Sequence, residues 1–164
     1  MAKRLQPPID VTLDDVILRT FIMFVQTAHT VLKYADAHFY RKTGFSAIKF
    51  IVLDALAVNG WSMRPSEIAE WTYRERHNIT TLVDRLKRDG LVRTTRNNAD
   101  KRLVNVKLTD KGREARNRAM PVEREIVDQV MLSISEDDTV LLEKTLRVLR
   151  QNAHNGLRDI ARRS

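Results

Sequence analysis

Cysteine is absent from the chain. Its absence excludes disulfides, thiolate metal ligands and thiol-based redox sensing. No apolar run reaches the ~18 residues of a membrane-spanning helix. Residues 1–8 carry charge but no apolar core, so no signal peptide is expected. A cytoplasmic protein with no membrane partner is therefore expected. The four histidines, His29, His38, His77 and His154, are scattered, and none forms a metal-binding spacing such as His-Glu-x-x-His. There is no glycine-rich phosphate loop and no nucleophile motif, so neither an enzymatic activity nor a cofactor or metal is expected. Strand-like segments are few and helical patterns dominate.

What the chain does have is positive charge, unevenly placed. At 164 residues it is long enough for one well-packed domain or two small subdomains, and 43% hydrophobic content suits a globular protein. The formal net charge is +8. Residues 64–113 hold 13 Lys+Arg against 7 Asp+Glu, so +6 of that total falls on less than a third of the sequence. A concentrated basic excess is the electrostatic footprint of a nucleic-acid-binding unit. A basic membrane-surface helix is the competing reading. It would need large apolar residues facing a Lys/Arg face, whereas this stretch is strand and loop as much as helix.

Inside the basic stretch, residues 76–88 form a short helix pattern. Ile79, Leu82, Val83 and Leu86 recur at helical spacing as a buried stripe. Opposite them stand His77, Thr81, Arg85 and Arg88, with Asn78 at the edge. Such a face can dock on base-pair edges: Asn pairs two-pronged with adenine, Arg with guanine, and Thr meets a thymine methyl. A solvated polar face is the alternative for a lone helix. The surroundings favour the docking face. Pro65 opens a preceding helix with Ile68, Ala69 and Thr72 inward, and residues 72–75 make the turn of a helix-turn-helix. Asp89-Gly90 stops the second helix. Residues 91–96 read as a strand, Asn97 to Asp100 as loop, and Val104, Val106 and Leu108 as the inward positions of a second strand. Helix, helix, strand, loop, strand is a winged helix-turn-helix.

This stretch resembles the MarR family of transcription regulators (multiple antibiotic resistance regulators). Four pieces carry the resemblance: Pro65-Ser66-Glu67-Ile68-Ala69, Leu82-Val83-Asp84-Arg85-Leu86, Asp89-Gly90-Leu91-Val92, and Asp100-Lys101-Arg102 followed by Leu108-Thr109 and Gly112. Two residues depart from the pattern. Tyr73 stands where the family often has glycine or another small residue, and Glu75 where a capping serine is common. The resemblance implies a mainly α fold with a small β-wing, in which a winged helix-turn-helix lobe (45–109) joins a helical dimerisation region (12–42 and 110–160) in one domain, 1–164. It implies DNA contacts from Arg74, Arg76, His77, Asn78, Thr80, Thr81 and Arg85, and from Arg96, Lys101 and Arg102 of the wing. Asp100 would hold the wing in shape, and Arg102 would reach the DNA backbone or minor groove.

The flanking segments fit that plan. Residues 1–11 form a short arm with Pro7-Pro8. Thr12, with Asp15 three residues on, resembles a capping box for a long helix ending near Arg41 or Lys42. Leu18, Phe21, Val25, Ala28, Leu32, Ala35 and Phe39 make one apolar row, and Ile17, Phe24, Val31 and His38 a second. Two rows imply burial on two sides. A second helix spans 45–58 with Ile48, Ile51, Val52, Ala55 and Leu56 inward, and residues 61–64 read as a short strand. A long helix from Thr109 turns Ala115, Ala119, Val122, Ile126 and Val130 to one face and should kink at Pro121. Ser135 with Asp138 caps a last helix whose stripe is Leu142, Leu146, Leu149, Ala153, Leu157 and Ile160. Packing within the chain is one explanation of that stripe. An intermolecular bundle is the favoured one, because the end helices offer more apolar face than they can mutually hide.

Aromatic residues crowd the first two helices. Core packing accounts for them in general. A small-molecule pocket is the functional alternative, with Phe24, His29, Tyr34, Phe39 and Phe50 as candidates, because MarR relatives commonly bind aromatic or phenolic effectors. The expected function is a homodimeric, sequence-specific regulator of double-stranded DNA with a palindromic operator, and a repressor relieved by a small aromatic ligand. A non-specific architectural DNA binder and a winged-helix protein–protein module are the alternatives.

Overall fold

The computed structural model describes residues 14–96 and 104–163. Among them are helices α1 (Val16–Thr43), α2 (Ala47–Val58), α3 (Pro65–Trp71), α4 (Arg76–Arg88), α5 (Asp110–Val130) and α6 (Glu136–Arg163), and strands β1 (Ser62–Met63), β2 (Val92–Arg96) and β3 (Val104–Leu108). The chain divides into two compact units, Met1–Val127 and Asp128–Ser164. No helix among the described residues is long and apolar enough to cross a membrane.

The first unit is built on a small antiparallel sheet of order β1-β3-β2. Val92 pairs with Leu108 and Arg96 with Val104, so β2 and β3 form the hairpin read from the sequence. Met63 pairs with Val106 on the other edge. Val106 and Leu108 turn inward from β3 and meet Leu56, Ile68, Ile79, Val83 and Leu86 in one apolar core. This cluster fixes α3 and α4 against the sheet by excluding water from their apolar faces.

Two element boundaries differ from the sequence reading. Asp15 is not the reaching-back partner of a Thr12 cap but the N-cap itself. Its Oδ1 accepts from the amides of Ile17 (2.9 Å) and Leu18 (3.0 Å), satisfying two of the amides a helix start leaves unpaired. Thr12 lies outside the described residues. In α2 the innermost residues include Phe50 and Leu53, fully buried, whereas Ile48 and Ile51 are half-buried. The helix is apolar nearly all round, so its inner face is chosen by its neighbours. Helix α5 stays helical through Pro121.

Polar links between distant segments hold the helices in place. Asp36 of α1 caps α2 by accepting from the Ala47 amide at 2.9 Å. Arg116 of α5 donates through two nitrogens to Asp54 of α2, at 2.9 and 2.7 Å, where both side chains are largely shielded from water. His38 and Lys42 of α1 converge on Glu125 of α5 at 2.9 and 3.3 Å. These hydrogen bonds, His38 first, hold the Glu125 carboxyl below the usual carboxylate range.

At the start of α5 the backbones of two segments nearly touch. Gly112 is buried, and a Cβ there would lie 2.1 Å from the carbonyl oxygen of Leu91. Thr109 ties the same junction: its hydroxyl donates to the Gly90 carbonyl (2.8 Å) and accepts from the Gly112 amide (3.0 Å). Backbone cannot yield as a flexible side chain does. Gly112→Ala is therefore expected to destabilise the fold by about 3 kcal/mol, seen as a lower midpoint of urea unfolding. A midpoint equal to the parent's would show that α5 does not pack this closely.

Helices α2, α3 and α4 end in the same way. The amides of Trp61, Arg74 and Leu91 bond back to the carbonyls of Leu56 (2.7 Å), Ala69 (3.0 Å) and Leu86 (2.9 Å). This closure puts the preceding residue in the left-handed region, where glycine is usual. Gly60 (φ 73°) and Gly90 (φ 72°) fill it after α2 and α4, but Tyr73 (φ 53°) fills it after α3. A side chain in that conformation costs roughly 1–2 kcal/mol.

The second unit is dominated by α6. Ser135 begins it, its hydroxyl accepting from the Asp138 amide at 3.1 Å and donating to the Asp138 carboxylate at 2.6 Å. None of its described side chains is buried. Leu142, Leu149, Leu157 and Ile160 remain exposed, as do Ile17, Leu18, Phe21 and Phe24 on α1 of the first unit.

Candidate nucleic-acid interface

Helix α4 occupies the residues expected of it. Ile79 and Leu86 are fully buried and Val83 nearly so, while Leu82 is half-buried at the stripe's edge. His77, Asn78, Thr81, Arg85 and Arg88 are all exposed on the remaining arc, and Arg74, Arg76 and Thr80 are exposed beside them. At 3.6 residues per turn, His77, Thr81 and Arg88 run in line along the helix, with Asn78 and Arg85 flanking them on one side. The hydroxyl of Thr81 donates to the His77 carbonyl (3.2 Å) and that of Thr80 to the Arg76 carbonyl (3.1 Å). With its hydroxyl tied back, Thr81 presents its methyl, the group suited to a thymine.

The partner helix α3 is set by its own first turn. Glu67 accepts from the Arg64 amide (2.7 Å) and from the Arg64 guanidinium (2.8 and 2.5 Å). The Arg64 amide and then its side chain hold the Glu67 carboxyl below the usual carboxylate range. Thr72 closes the helix with its hydroxyl on the Ile68 carbonyl at 2.7 Å.

The foot of α4 holds a residue that sequence reasoning missed. Lys49 reaches from α2 to pair with Asp89 at 2.5 Å, and Lys111 donates to the Asp89 carbonyl at 2.8 Å. Lys49, Arg85, Arg88 and Asp89 line one open pocket. The lysine adds a cation beside the two arginines and fixes the C-terminal end of α4, where positive charge also complements the helix dipole. No local signal marks Lys49, because its partner lies 40 residues away in the chain.

Of the wing, Arg96 ends β2 opposite Val104, at the loop-proximal end of the hairpin. Asp100, Lys101 and Arg102 lie outside the described residues.

The five pocket candidates are not brought to one place. Phe39 and Phe50 are buried and stacked on one another, with centroids 4.9 Å apart, so their rings serve the core. Phe24, His29, Tyr34 and Phe39 follow one another at five-residue steps along α1. Each step turns the direction by about 140°, which spreads the four around the helix. Phe24 is exposed, His29 is exposed with its ring on the Val25 carbonyl at 2.8 Å, and Tyr34 is half-buried against His38.

Two helices joined by a tight turn, the second carrying an exposed polar row, with a three-stranded sheet behind them, define a winged helix-turn-helix protein. Residues 43–103 match the sequence model of the MarR family. The chain is 28% identical over 116 residues to the transcriptional repressor YetL of Bacillus subtilis, covering 70% of each protein. Among solved structures it resembles Sco3205, a MarR family regulator of Streptomyces coelicolor in complex with DNA, with a TM-score of 0.77 at 23% identity over 81% of this chain and 84% of that one. An organohalide-sensing transcriptional regulator in its 2,4-dichlorophenol-bound form gives a TM-score of 0.78 at 24% identity, covering 93% and 89%. The chain belongs to the MarR family of transcription regulators.

Proposed function

We propose that the protein is a homodimeric, sequence-specific double-stranded DNA-binding repressor. The observation that carries this reading is the exposed row on α4, with His77, Thr81 and Arg88 in line and Asn78 and Arg85 beside them, backed by a fully packed core. Arg74 and Arg76 at the head of the row suit phosphates, which fix the register, while Asn78, Thr81 and Arg85 suit base edges, which fix the sequence. The dimer reading rests on the apolar residues that α1 and α6 leave exposed, a surface of the kind that marks an interaction site. A two-fold dimer reads a palindrome. Selection from a randomised duplex library should therefore return an inverted repeat whose half-sites are centred about one helical turn, ~34 Å, apart. Recovery of unrelated sequences would contradict the reading. From the wing, Arg96, Lys101 and Arg102 are assigned to the backbone and minor groove, with Asp100 as support; this assignment comes from the sequence signature.

The same reading makes the repressor responsive to an aromatic or phenolic compound. Its support is the chlorophenol held by the organohalide-sensing regulator and the aromatic side chains that α1 leaves outside the core. Phe24 and Tyr34 are the candidates, since Phe39 and Phe50 are committed to packing. Effector and DNA should weaken each other's binding by the same factor, because linkage is reciprocal. With 2,4-dichlorophenol as the probe, calorimetric titration of the free and DNA-bound protein is expected to give two such matched factors. Phe24→Ala or Tyr34→Ala should reduce affinity for the phenol and leave DNA affinity of the ligand-free protein intact. Equal loss of both would mean simple damage to the fold.

A further inference from the structure

Three helix ends in this protein use one closure, and only the turn before α4 gives the left-handed position a large side chain. Tyr73 does not gain burial there, for it is 62% exposed. A strained conformation held by an exposed residue points to a task outside the chain's own packing. The position narrows that task. Tyr73 directly precedes Arg74 and stands three residues before Arg76, both exposed. With at most about 3.8 Å between successive Cα atoms, it lies within ~15 Å of His77 at the head of the groove-facing row. It is therefore beside the groove rather than in it, where a DNA strand's phosphates run. Tyrosine suits that place: an amphipathic ring with few rotatable bonds and a hydroxyl that donates to phosphate oxygen.

We propose that Tyr73 is a DNA-contacting residue whose phenol hydroxyl donates a hydrogen bond to a backbone phosphate flanking the groove that α4 enters. The inference rests on the DNA-binding reading above and adds to it a neutral phosphate anchor at the helix-helix turn. Being uncharged, Tyr73 releases no counterion, so its contribution is independent of salt, unlike that of Arg74. It is also independent of base sequence.

The test uses the full chain, the duplex recovered by selection and a scrambled duplex of the same length. Binding is measured by fluorescence anisotropy over a salt series for Tyr73→Phe, Tyr73→Gly, Arg74→Ala and Asn78→Ala, alongside thermal unfolding. Tyr73→Phe and Tyr73→Gly should each weaken binding to both duplexes about tenfold, the loss of one hydrogen bond to a charged acceptor. Their salt slopes should equal the parent's, while that of Arg74→Ala is shallower. Tyr73→Gly should unfold at or above the parent's temperature, since glycine relieves the strain. If both Tyr73 variants bind like the parent while Asn78→Ala is impaired on the selected duplex, the inference falls and the DNA-binding reading stands. If Asn78→Ala is also without effect, that reading falls with it. Loss in Tyr73→Gly with full binding by Tyr73→Phe would overturn the hydroxyl contact. Tyr73→Phe keeps the ring and the turn, so it decides the matter even if Tyr73→Gly proves unstable.

Discussion

A chain carrying Leu142→Glu, Leu149→Glu and Leu157→Glu is expected to sediment as a monomer and to bind its palindromic site about 10²–10⁴-fold more weakly than the parent. All three leucines lie on α6, which has no buried side chain among those described, and all three are exposed in the single chain. Isolated exposed leucines are ordinary. A stripe of them at spacings of three and four along a 28-residue helix is not, and α1 leaves Ile17, Leu18, Phe21 and Phe24 exposed as well. A second copy covering these stripes would remove that apolar surface from water. Glutamate is nearly as good a helix former as leucine, so α6 should persist, with its circular dichroism unchanged. What changes is the interface: three charges per subunit would have to be desolvated, which costs far more than the apolar contacts return. The loss on DNA follows from geometry. A dimer engages two half-sites, and the second engagement is intramolecular, which raises affinity by the factor given above. A triple variant that remains dimeric would remove α6 from the interface.

Asn78→Ala is expected to cost about 1–3 kcal/mol on the selected duplex and almost nothing on a scrambled one. Asn78 is exposed in the first turn of α4, and its amide offers one donor and one acceptor in the geometry that adenine's N6 and N7 require. Alanine is a stronger helix former, so the fold should not suffer. The prediction is about where the loss falls. A phosphate contact would weaken every duplex alike, whereas a base contact relaxes preference at one position of each half-site. A uniform loss across sequences would move Asn78 from reading bases to gripping the backbone.

How much of this was legible in the chain depended on whether a residue's role is local. The stripe Ile79, Leu82, Val83, Leu86 repeats with the helix period, so α4 and its outward row could be placed to the residue. The β2–β3 hairpin was equally clear, because Val104, Val106 and Leu108 alternate on either side of polar neighbours. Helix α2 was less so. Residues 47–58 carry only Lys49 and Asp54 as charges, and a segment apolar nearly all round has no pattern from which to choose Phe50 and Leu53 over Ile48 and Ile51. The links that fix the interface were not legible at all. Lys49–Asp89, Arg116–Asp54 and His38–Glu125 join residues 40, 62 and 87 apart, and each partner looks like an ordinary surface charge until the chain is folded. The aromatic cluster misled for a related reason. Its density in sequence was plain, but five-residue steps on a helix point in different directions, and Phe39 turned to Phe50 in the core.

Tyr73 shows the converse. The departure from glycine was visible in the sequence, and so was the doubt it cast on the turn. The fold resolves that doubt: the closure forms with the tyrosine in the left-handed region, amide of Tyr73 to the Glu70 carbonyl at 3.2 Å and amide of Arg74 to Ala69 at 3.0 Å.

The central claim is that α4 reads sequence, and the specificity ratio tests it most directly. The full chain is titrated against the selected duplex and a scrambled duplex of equal length at ~0.15 M salt, the physiological ionic strength. A regulator built as described should prefer the selected duplex by about 10³-fold or more. A ratio near one would contradict the account and leave a protein that holds DNA by charge alone.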